Sequence, residues 1–576
     1  MESRFSAAAM AVLERRYLAR DESGEVVETP EEMFRRVAAN VASAERKWGG
    51  GDEAARWEGL FFEAMSGLEF LPNSPTLMNA GRTLQQLAAC FVLPVEDSIE
   101  SIFEAVKLAA VIHQSGGGTG FSFSRLRPEN DIVSSTGGLS SGPLSFMRVF
   151  DAATDAIRQG GARRGANMAV LSIDHPDVEK FIRAKGSPGE FHNFNLSVAV
   201  TDAFMETART GGEHRLVNPR TGEQAAVKDA AGLLELLCRN AWECGEPGVL
   251  FMDAVNRANP TPRTGTIEAT NPCGEQPLLP YEACNLGSIN LSRMVRNGPA
   301  GPEIDYRRLG ELTELAVRFL DDVIEVNRYP APPIEAATRL NRKIGLGVMG
   351  LADMFIRLGL VYGSDESLSV AGELMTFIGE RARAASRALA SSRGPFPNFR
   401  GSIYDRPGAR PLRNATVTTI APTGTLSIIA GVSSGIEPLY AVSYRRRMLD
   451  DLEMELVSPL FVETAEKGGF LSEDLVKHIE AGGSIRERPD VPDEVKRLFV
   501  TALEVDPLDH VRMQAAFQRH TDNAVSKTVN LPDSATVEDV RRVVVTAHEL
   551  GCKGVTVYRS GTRAGQVLAC QGARPC

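Results

Sequence analysis

The chain has 576 residues, of which 43% are hydrophobic and 24% are charged, proportions that are ordinary for a soluble globular protein. Its length exceeds the size at which a single hydrophobic core usually stops growing, although large α/β barrels can remain one domain. The formal net charge of −11 and the pI near 5.5 give no basic surface for nucleic acid or anionic membranes. No apolar run is long enough for a membrane-spanning helix.

The N-terminus shows no signal-type apolar segment, because Glu14, Arg15 and Arg16 interrupt it early. A cytoplasmic protein is therefore expected. In that compartment the eight cysteines should be mostly reduced. A cysteine pair that has a role is then expected to be redox-active rather than structural.

The first predicted elements are helices. Residues 29–32 have the pattern of a capping box with Pro30 in the first turn. Met33, Val37 and Val41 follow at helical spacing. These signals predict a helical N-terminal region.

The next predicted elements are a strand and a helix. Residues 88–93 form a short apolar run before Pro94, which is typical of a buried strand. Residues 102–112 predict a mostly apolar helix that runs into the glycine-rich residues 116–120. Those glycines either let a ligand approach the backbone closely or only stop the helix.

A loop at residues 271–275 has the sequence Asn-Pro-Cys-Gly-Glu. Pro272 and Gly274 argue against a helix or a central strand. Alternate residues of an extended loop point the same way, so Asn271, Cys273 and Glu275 are expected to share one face. That face would offer a carboxamide, a thiol and a base, which suits a catalytic site. The alternative is a structural loop with a buried cysteine.

Residues 422–427 form a threonine- and glycine-rich turn after the β-branched residues 415–420. A strand that runs into such a turn before an apolar helix suits a phosphate, which backbone N–H groups and two hydroxyls can bind. The turn is not a P-loop, because no Gly-Lys-Ser/Thr is present. An ordinary helix N-cap is the alternative. Ser74, beside Pro75, is a further candidate hydroxyl donor.

The last predicted elements form a βαβ unit, which implies a parallel sheet. Residues 525–531 and 554–558 read as its strands. Thr536 and Asp539 begin the helix between them, and Gly551 ends it. Residues after 560 show no pattern and are predicted to form a mobile terminus.

Outside the loop at 271–275, three cysteines are expected to be core thiols, namely Cys238, Cys244 and Cys552. Cys570 and Cys576 could exchange disulfides from a mobile tail, or could be a fortuitous pair. The eight histidines show no metal-binding pattern. Residues 158–165 place arginines among glycines, which suits an anionic effector and a movable loop, or a solvated basic turn.

In their order along the chain, these motifs resemble the large catalytic chain of ribonucleotide reductase. The resemblance is strongest to the adenosylcobalamin-dependent class that reduces ribonucleoside diphosphates, and it covers nearly the whole chain. It is carried by residues 71–81, Cys90, residues 118–120, residues 271–275, residues 284–291 and residues 422–425.

The resemblance implies an α/β fold with a ten-stranded α/β barrel. Two five-stranded parallel half-barrels, antiparallel to each other, would enclose a central finger loop. The expected domains are a helical N-terminal region at 1–70, the barrel at 71–559 and a flexible tail with redox cysteines at 560–576. No ATP-cone is expected before residue 29, and hence no overall control by ATP and dATP.

The resemblance also assigns catalytic roles. Cys273 would carry a thiyl radical that abstracts the 3′ hydrogen of the ribose, and this radical would need a dry, enclosed position. Glu275 would be the general base on the 3′ hydroxyl, and Asn271 would position the ribose hydroxyls. Cys90 and Cys284 would be the reducing dithiol, which becomes a disulfide when the 2′ hydroxyl departs as water.

The implied substrate site gathers residues from several segments, with the diphosphate held by Ser74 and the turn at 422–426. Its residues are Ser74, Ala89, Cys90, Gly118, Asn271, Pro272, Cys273, Gly274, Glu275, Pro422, Thr423, Gly424, Thr425 and Leu426.

Cys570 and Cys576 would re-reduce the inner dithiol and be reset by a thioredoxin-like donor, although their C-x5-C spacing is wider than in such tails.

A deoxynucleoside triphosphate would select the base from a specificity site at the contact of a homodimer. The implied effector residues are Asp97, Ser98, Ile99 and Arg127. The implied communicating loop contains Arg158, Gln159, Gly160, Gly161 and Arg163.

The implied cofactor is adenosylcobalamin, with no metal ligand from protein side chains. The iron-dependent class relays its radical through adjacent tyrosines near the C-terminus, whereas residues 557–560 here contain only Tyr558. The C-terminal motif of the glycyl-radical class is absent. Such an enzyme would supply precursors for DNA synthesis and repair. Two alternatives remain: the large subunit of an iron-dependent reductase with a radical-generating partner, and a catalytically silent nucleotide-binding regulator.

Overall fold

In the computed structural model, the described residues are 5–133, 137–157, 165–187, 189–447, 453–481, 483–562 and 568–569. Several residues with predicted roles lie outside them, namely Arg158, Gln159, Gly160, Gly161, Arg163, Cys570 and Cys576. None of the helices in the described ranges is long and apolar enough to cross a lipid bilayer.

The helices surround a large central sheet. In chain order they are α1 (Ala7–Arg16), α2 (Pro30–Ala42), α3 (Arg46–Ser66), α4 (Ser74–Asn79), α5 (Ile99–Gln114), α6 (Gly142–Ile157), α7 (Val178–Ile182), α8 (Asp202–Thr210), α9 (Ala230–Cys244), α10 (Met252–Arg257), α11 (Tyr306–Val326), α12 (Pro332–Asn341), α13 (Leu351–Leu358), α14 (Asp365–Arg393), α15 (Leu426–Ala430), α16 (Pro459–Gly468), α17 (Glu473–Glu480), α18 (Asp493–Leu498), α19 (Pro507–Gln518) and α20 (Val537–Glu549).

The strands include ten that belong to the central sheet. In chain order they are β1 (Phe70–Pro72), β2 (Cys90–Val92), β3 (Gly118–Ser122), β4 (Ile132–Val133), β5 (Gly138–Leu139), β6 (Asn167–Ser172), β7 (Phe194–Val200), β8 (Glu213–Val217), β9 (Gln224–Asp229), β10 (Gly248–Phe251), β11 (Ala269–Thr270), β12 (Pro277–Leu278), β13 (Ala283–Asn290), β14 (Val295–Gly298), β15 (Gly301–Ile304), β16 (Ile344–Met349), β17 (Ser443–Arg447), β18 (Glu453–Val457), β19 (Thr528–Leu531), β20 (Gly554–Arg559) and β21 (Leu568–Ala569).

The N-terminal helices form as the sequence predicts. Thr29 and Glu32 make both bonds of a capping box: the Thr29 side chain accepts from the backbone N–H of Glu32, whose carboxylate accepts from the backbone N–H of Thr29. Met33, Val37 and Val41 are buried in a core shared with α11, α14 and β16. This core attaches the helical region to the barrel.

The central sheet is built from two parallel halves. In the first half β2, β3, β6, β7 and β10 pair in parallel, in that order. In the second half β13 pairs in parallel with β16, and β19 pairs in parallel with β20. Between these pairs, residues 416–420 form parallel bridges from Leu346 to Thr418 and from Ile420 to Val525.

The two halves meet through antiparallel pairs at both edges. β2 pairs with β13, and β10 pairs with β20. The ring of strands is therefore closed, and the predicted ten-stranded barrel of two antiparallel halves is confirmed. The predicted βαβ unit is β19, α20 and β20, and Thr536 and Asp539 form its capping box.

Inside this ring lies the hairpin of β11 and β12, whose strands are antiparallel. β11 lies against β2, β3 and β6. A Cβ atom on Gly120 would stand 1.8 Å from the carbonyl oxygen of Thr270, and one on Gly118 would stand 2.9 Å from the ring of Pro272. The hairpin can therefore reach this depth only because β3 carries glycine at both positions.

We predict that Gly120→Ala lowers the free energy of unfolding by about 3 kcal/mol, the upper end for overpacking, because backbone must move to admit the methyl group. Urea denaturation measures the change. Gly372→Ala in α14 is the matched control, since its Cβ would meet nothing within 4 Å. The control should be neutral or more stable by up to about 1 kcal/mol. Equal losses in both variants would contradict the close approach of the hairpin.

Candidate active site

The tip of the central hairpin carries the predicted catalytic loop, residues 271–275. The turn closes with a hydrogen bond of 3.0 Å from the backbone N–H of Gly274 to the carbonyl of Asn271. Gly274 adopts a φ of 82°, a left-handed conformation that suits glycine. The Asn271 side-chain oxygen accepts from the backbone N–H of Gln276 at 2.9 Å. The prediction of a loop at these residues is confirmed.

Barrel strands hold the tip in place on both sides. The side-chain amide of Asn195 donates to the carbonyl of Pro272 at 2.7 Å. From the opposite half, the Thr419 hydroxyl and the backbone N–H of Ala524 donate to the carbonyl of Glu275 at 2.9 and 3.0 Å. The loop is thus fixed by backbone bonds, which leaves its side chains oriented inside the barrel.

Two of the predicted active-site thiols face each other across the junction of the half-barrels. Cys90 of β2 and Cys284 of β13 are directly opposed in the antiparallel register. Opposed residues in such a pair have Cα atoms about 4.5–5.5 Å apart, which lies within the range that a disulfide spans. Both side chains are buried. The register therefore places the two cysteines of the predicted dithiol side by side on neighbouring strands.

Cys90 also contacts the hairpin tip. The Asn271 amide donates to the Cys90 sulfur at 3.1 Å, and that sulfur lies 3.8 Å from a carboxylate oxygen of Glu275. Glu275 is only 2% exposed. Asn271, Cys90 and Glu275 thus form one hydrogen-bonded group from segments far apart in the chain.

Cys284 lies behind Cys90 in a sealed position. Its thiol donates weakly to the carbonyls of Asn285 and Lys343, each at 3.5 Å. Burial raises the pKa of the Cys284 thiol well above its usual range, and the ammonium of Lys343 opposes this only in part. Lys343 is itself buried and pairs with Glu282 at 2.6 Å. Cys284 is consequently a protonated thiol at neutral pH.

Cys273 differs from Cys90 and Cys284 in its accessibility. Its side chain is exposed, and it borders two adjoining cavities of the barrel. This accessible surface borders the cavities of the barrel, so the expectation of a dry, enclosed thiol stays a prediction. The alternative of a buried structural cysteine is wrong. The thiol at the tip is accessible, whereas the two wall thiols are not.

The smaller of these cavities has a volume of about 280 Å³ and lies between the hairpin tip, Cys90 and the turn at 422–426. Every residue of the predicted substrate site borders it except Gly274, which borders the other cavity. Sequence reasoning missed further lining residues, which are Asn73, Gly117, Ala166, Leu286, Gly287, Ser288 and Ala421.

The turn at 422–426 is rigidly shaped. Thr423 has a φ of 51°, which is uncommon for a β-branched residue. Its hydroxyl accepts from the backbone N–H of Gly435 at 2.7 Å, which helps to fix that conformation. Thr425 stands at the start of α15 without a side-chain capping bond. The ordinary N-cap alternative is therefore disfavoured.

The larger cavity, of about 720 Å³, adjoins the hairpin tip on its other side. It shares Pro272, Cys273 and Pro422 with the smaller cavity. Its wall is rich in carboxamide and hydroxyl groups, from Asn195, Ser197, Ser526, Thr528, Asn530 and Tyr558. No sequence motif points to this cavity, because its residues come from many segments that are far apart in the chain.

The predicted effector residues come together at the start of α5. Arg127 pairs with Asp97 at 2.8 Å, and the Ser98 hydroxyl caps the helix. Along α5, Ile99 and Phe103 expose large apolar side chains, 56% and 49% accessible. An arginine–aspartate pair therefore stands beside an exposed apolar helix face.

Comparison with known proteins agrees with this fold. Residues 88–558 match the family description "Ribonucleotide reductase, barrel domain", and residues 3–85 match "Ribonucleotide reductase, all-alpha domain". The chain therefore belongs to the ribonucleotide reductase family.

Two relatives cover almost the whole chain. A "Vitamin B12-dependent ribonucleoside-diphosphate reductase" of Mycobacterium tuberculosis strain CDC 1551 is 51% identical over 575 residues, which are 100% of this chain and 82% of that protein. A protein of the same name from Thermoplasma acidophilum is 47% identical, over 97% of this chain and 79% of that protein. Among solved structures, the Actinobacillus ureae class Id ribonucleotide reductase alpha subunit has a TM-score of 0.78 at 23% identity, with 97% of each chain covered. That similarity supports the fold.

We predict that iodoacetamide at pH 8 modifies Cys273 well before Cys284, Cys238 and Cys552. Burial excludes the reagent from these three, and it raises the pKa of Cys238 and of Cys552 to about 12, so little thiolate forms. Peptide mass spectrometry over a time course measures the order. In denaturant all four should react alike, which serves as the control. Equal rates for Cys273 and Cys284 in the folded protein would contradict the described burial.

Proposed function

We propose that this chain reduces ribonucleoside diphosphates to 2′-deoxyribonucleoside diphosphates by a thiyl-radical mechanism that uses adenosylcobalamin. The observation that carries the proposal is a single cavity bordered by Cys90, Cys273, Glu275 and the turn at 422–426, with Cys284 directly behind Cys90. This set contains a radical site, a base, a two-electron reductant and a candidate anion-binding turn.

The choice of class has two supports. The relatives that are 51% and 47% identical are named as vitamin B12-dependent reductases of ribonucleoside diphosphates. In addition, Tyr558, at the cavity wall, lacks the adjacent tyrosine that a relay from an iron subunit would use. The large subunit of an iron-dependent reductase is therefore not favoured.

In the proposed reaction the hairpin tip acts on the ribose. A thiyl radical on Cys273 removes the 3′ hydrogen atom, and the carboxylate of Glu275 accepts the proton of the 3′ hydroxyl. Asn271 positions the ribose hydroxyls, while its bond to Cys90 aligns that sulfur with the same site. At the end of the cycle Glu275 returns the proton to the 3′ oxygen, and Cys273 returns the hydrogen atom to C3′.

The dithiol supplies the reducing equivalents. The C2′–O bond breaks and the oxygen leaves as water with a proton from one thiol, while C2′ gains a hydrogen from the other. The two electrons come from Cys90 and Cys284, whose sulfurs join as a disulfide. Because Cys284 is protonated at neutral pH, it holds the hydrogen that this step requires.

The larger cavity fits the cofactor. Its carboxamide and hydroxyl groups match the amide side chains and the ribose of adenosylcobalamin, and its volume of about 720 Å³ suits a drug-sized part of that molecule. Asn195, Ser197, Ser526, Thr528 and Asn530 would hold it. When bound, adenosylcobalamin supplies an organic radical beside the thiol of Cys273.

Regulation and re-reduction complete the proposal. A deoxynucleoside triphosphate would bind near Asp97, Ser98, Ile99 and Arg127, where two copies of the chain meet through α5. The exposed apolar side chains of α5 support a homodimer. A thioredoxin-like reductant would restore the dithiol, with Cys570 and Cys576 as its shuttle.

We predict that the purified chain forms deoxycytidine diphosphate from CDP only when adenosylcobalamin and a dithiol are added under anaerobic conditions. CTP should be a poorer substrate. Cys273→Ser should abolish turnover and leave CDP binding intact, because serine keeps the shape of the side chain and has no thiol hydrogen to lose. Chromatographic assay of products and calorimetric titration measure the two effects. Deoxynucleotide formation by Cys273→Ser would refute the assignment.

We predict that Phe103→Glu turns the dimer into a monomer, because a carboxylate on the apolar face of α5 would have to be buried without a partner. The molar mass from light scattering measures the change, and the response of CDP reduction to deoxynucleoside triphosphates should be lost with it. Val227→Glu on β9 is the control, since Val227 is 39% exposed on a different surface. A dimer that survives Phe103→Glu would argue against contact through α5.

A further inference from the structure

Ser74 lies where the smaller cavity meets the turn at 422–426. It is the first residue of α4, it is half-buried, and it borders the cavity together with Thr423, Gly424 and Thr425. In the proposed function this hydroxyl contacts the diphosphate. The Ser74 hydroxyl has a second hydrogen-bond partner on the side away from the cavity. That partner determines whether the single proton of Ser74 points into the cavity.

That partner is the hydroxyl of Tyr17, from the N-terminal helical region. The Tyr17 hydroxyl oxygen lies 2.7 Å from the Ser74 hydroxyl oxygen. Tyr17 is 1% exposed and borders neither barrel cavity. It therefore contacts Ser74 from inside the protein and cannot contact the substrate itself.

Tyr17 is held firmly in this position. The guanidinium of Arg82 donates to its backbone carbonyl at 2.9 Å. Glu28 pairs with Arg82 at 3.0 Å and with Arg36 at 2.7 Å, and Arg36 also donates to the carbonyl of Leu77 in α4. The Tyr17 backbone and α4 thus belong to one hydrogen-bonded unit.

The same N-terminal segment supports the phosphate turn. Val12 and Leu13 of α1 are buried in the same core as Ile428 and Ile429 of α15, and the two helices are in contact. Residues 7–17 therefore contact both α4, through Ser74, and α15, the helix that follows the proposed phosphate turn.

The direction of the hydrogen bond follows from proton counting. A serine hydroxyl has one proton and two acceptor lone pairs. If Ser74 donates its proton to a phosphate oxygen, it must accept from Tyr17, and Tyr17 must donate. Each bond then polarises the next, which strengthens the bond to the anion.

We propose that Tyr17 is a positioning residue for phosphate recognition, which donates to Ser74 and thereby directs the Ser74 proton to the phosphate of the substrate. This inference rests on the proposed function, because it takes the ligand of the smaller cavity to be a ribonucleoside diphosphate. It assigns a role in substrate binding to the N-terminal helical region.

The test is Tyr17→Phe, which removes one hydroxyl and keeps the ring. The expected result is a KM for CDP raised about three- to tenfold, the worth of one hydrogen bond, with kcat changed by less than about twofold. By calorimetry the dissociation constant of CDP should rise by the same factor, while that of cytidine, which has no phosphate, should not change. Equal weakening for CDP and cytidine, or unchanged CDP binding, would overturn the inference.

Two further variants separate positioning from structural support. On a Ser74→Ala background, Tyr17→Phe should have no added effect on CDP affinity, because the hydroxyl that it orients is gone. Additive losses would overturn the inference. Tyr404→Phe is the matched control, since its hydroxyl donates to the carbonyl of Ala415 at 3.1 Å away from both barrel cavities, and it should leave CDP affinity unchanged.

The inference and the proposed function can fail separately. Wild-type protein that binds CDP with this dependence on Tyr17 but forms no deoxynucleotide would overturn the proposed reaction and support the phosphate site. Wild-type protein that reduces CDP with a KM unaffected by Tyr17→Phe would overturn the inference and support the reaction.

Discussion

The central hairpin reaches the thiols of the barrel wall only because β3 has no side chains at Gly118 and Gly120. The Thr270 carbonyl occupies the space that a methyl group at Gly120 would need. Because the hairpin packs this closely, the Asn271 amide lies within hydrogen-bonding distance of the Cys90 sulfur. The Glu275 carboxylate contacts the same sulfur. The contacts that the hairpin tip makes in the proposed active site therefore depend on one steric condition, the absence of two Cβ atoms from one strand.

The sequence predicted elements well where the determining contacts are local. The capping boxes at Thr29 and Thr536 act over three residues, and both form as expected. Prediction from the sequence failed where tertiary contacts determine the local structure. The glycines at 116–120 are interpreted from the sequence as a backbone that a ligand can approach or as a helix stop, yet residues 118–120 belong to β3. Parallel pairing with β2 and β6 outweighs the weak strand preference of glycine.

The active site could not be assembled from spacing alone. Residues 271–275 were recognisable because a thiol, a carboxylate and a carboxamide lie in one short loop. The opposition of Cys90 and Cys284 depends on the register of two strands far apart in the chain, and only the resemblance to a known family suggested it. No sequence pattern pointed to Tyr17, because the Ser74 that it contacts lies 57 positions away in the chain.

The two thiols of the proposed dithiol differ in their access to the cavity. This difference determines which of the two sulfurs an external thiol can attack. Cys90 borders the cavity and accepts a hydrogen bond from Asn271, whereas Cys284 is absent from the cavity wall and fully buried. When the proposed Cys90–Cys284 disulfide is re-reduced, an external thiol can reach only the Cys90 sulfur. Cys284 would therefore be the leaving group. A leaving thiolate of high pKa departs slowly. The ammonium of Lys343 lowers the pKa of Cys284, but its partner Glu282 raises that pKa and burial raises it most, so Cys284 stays a slow leaving group.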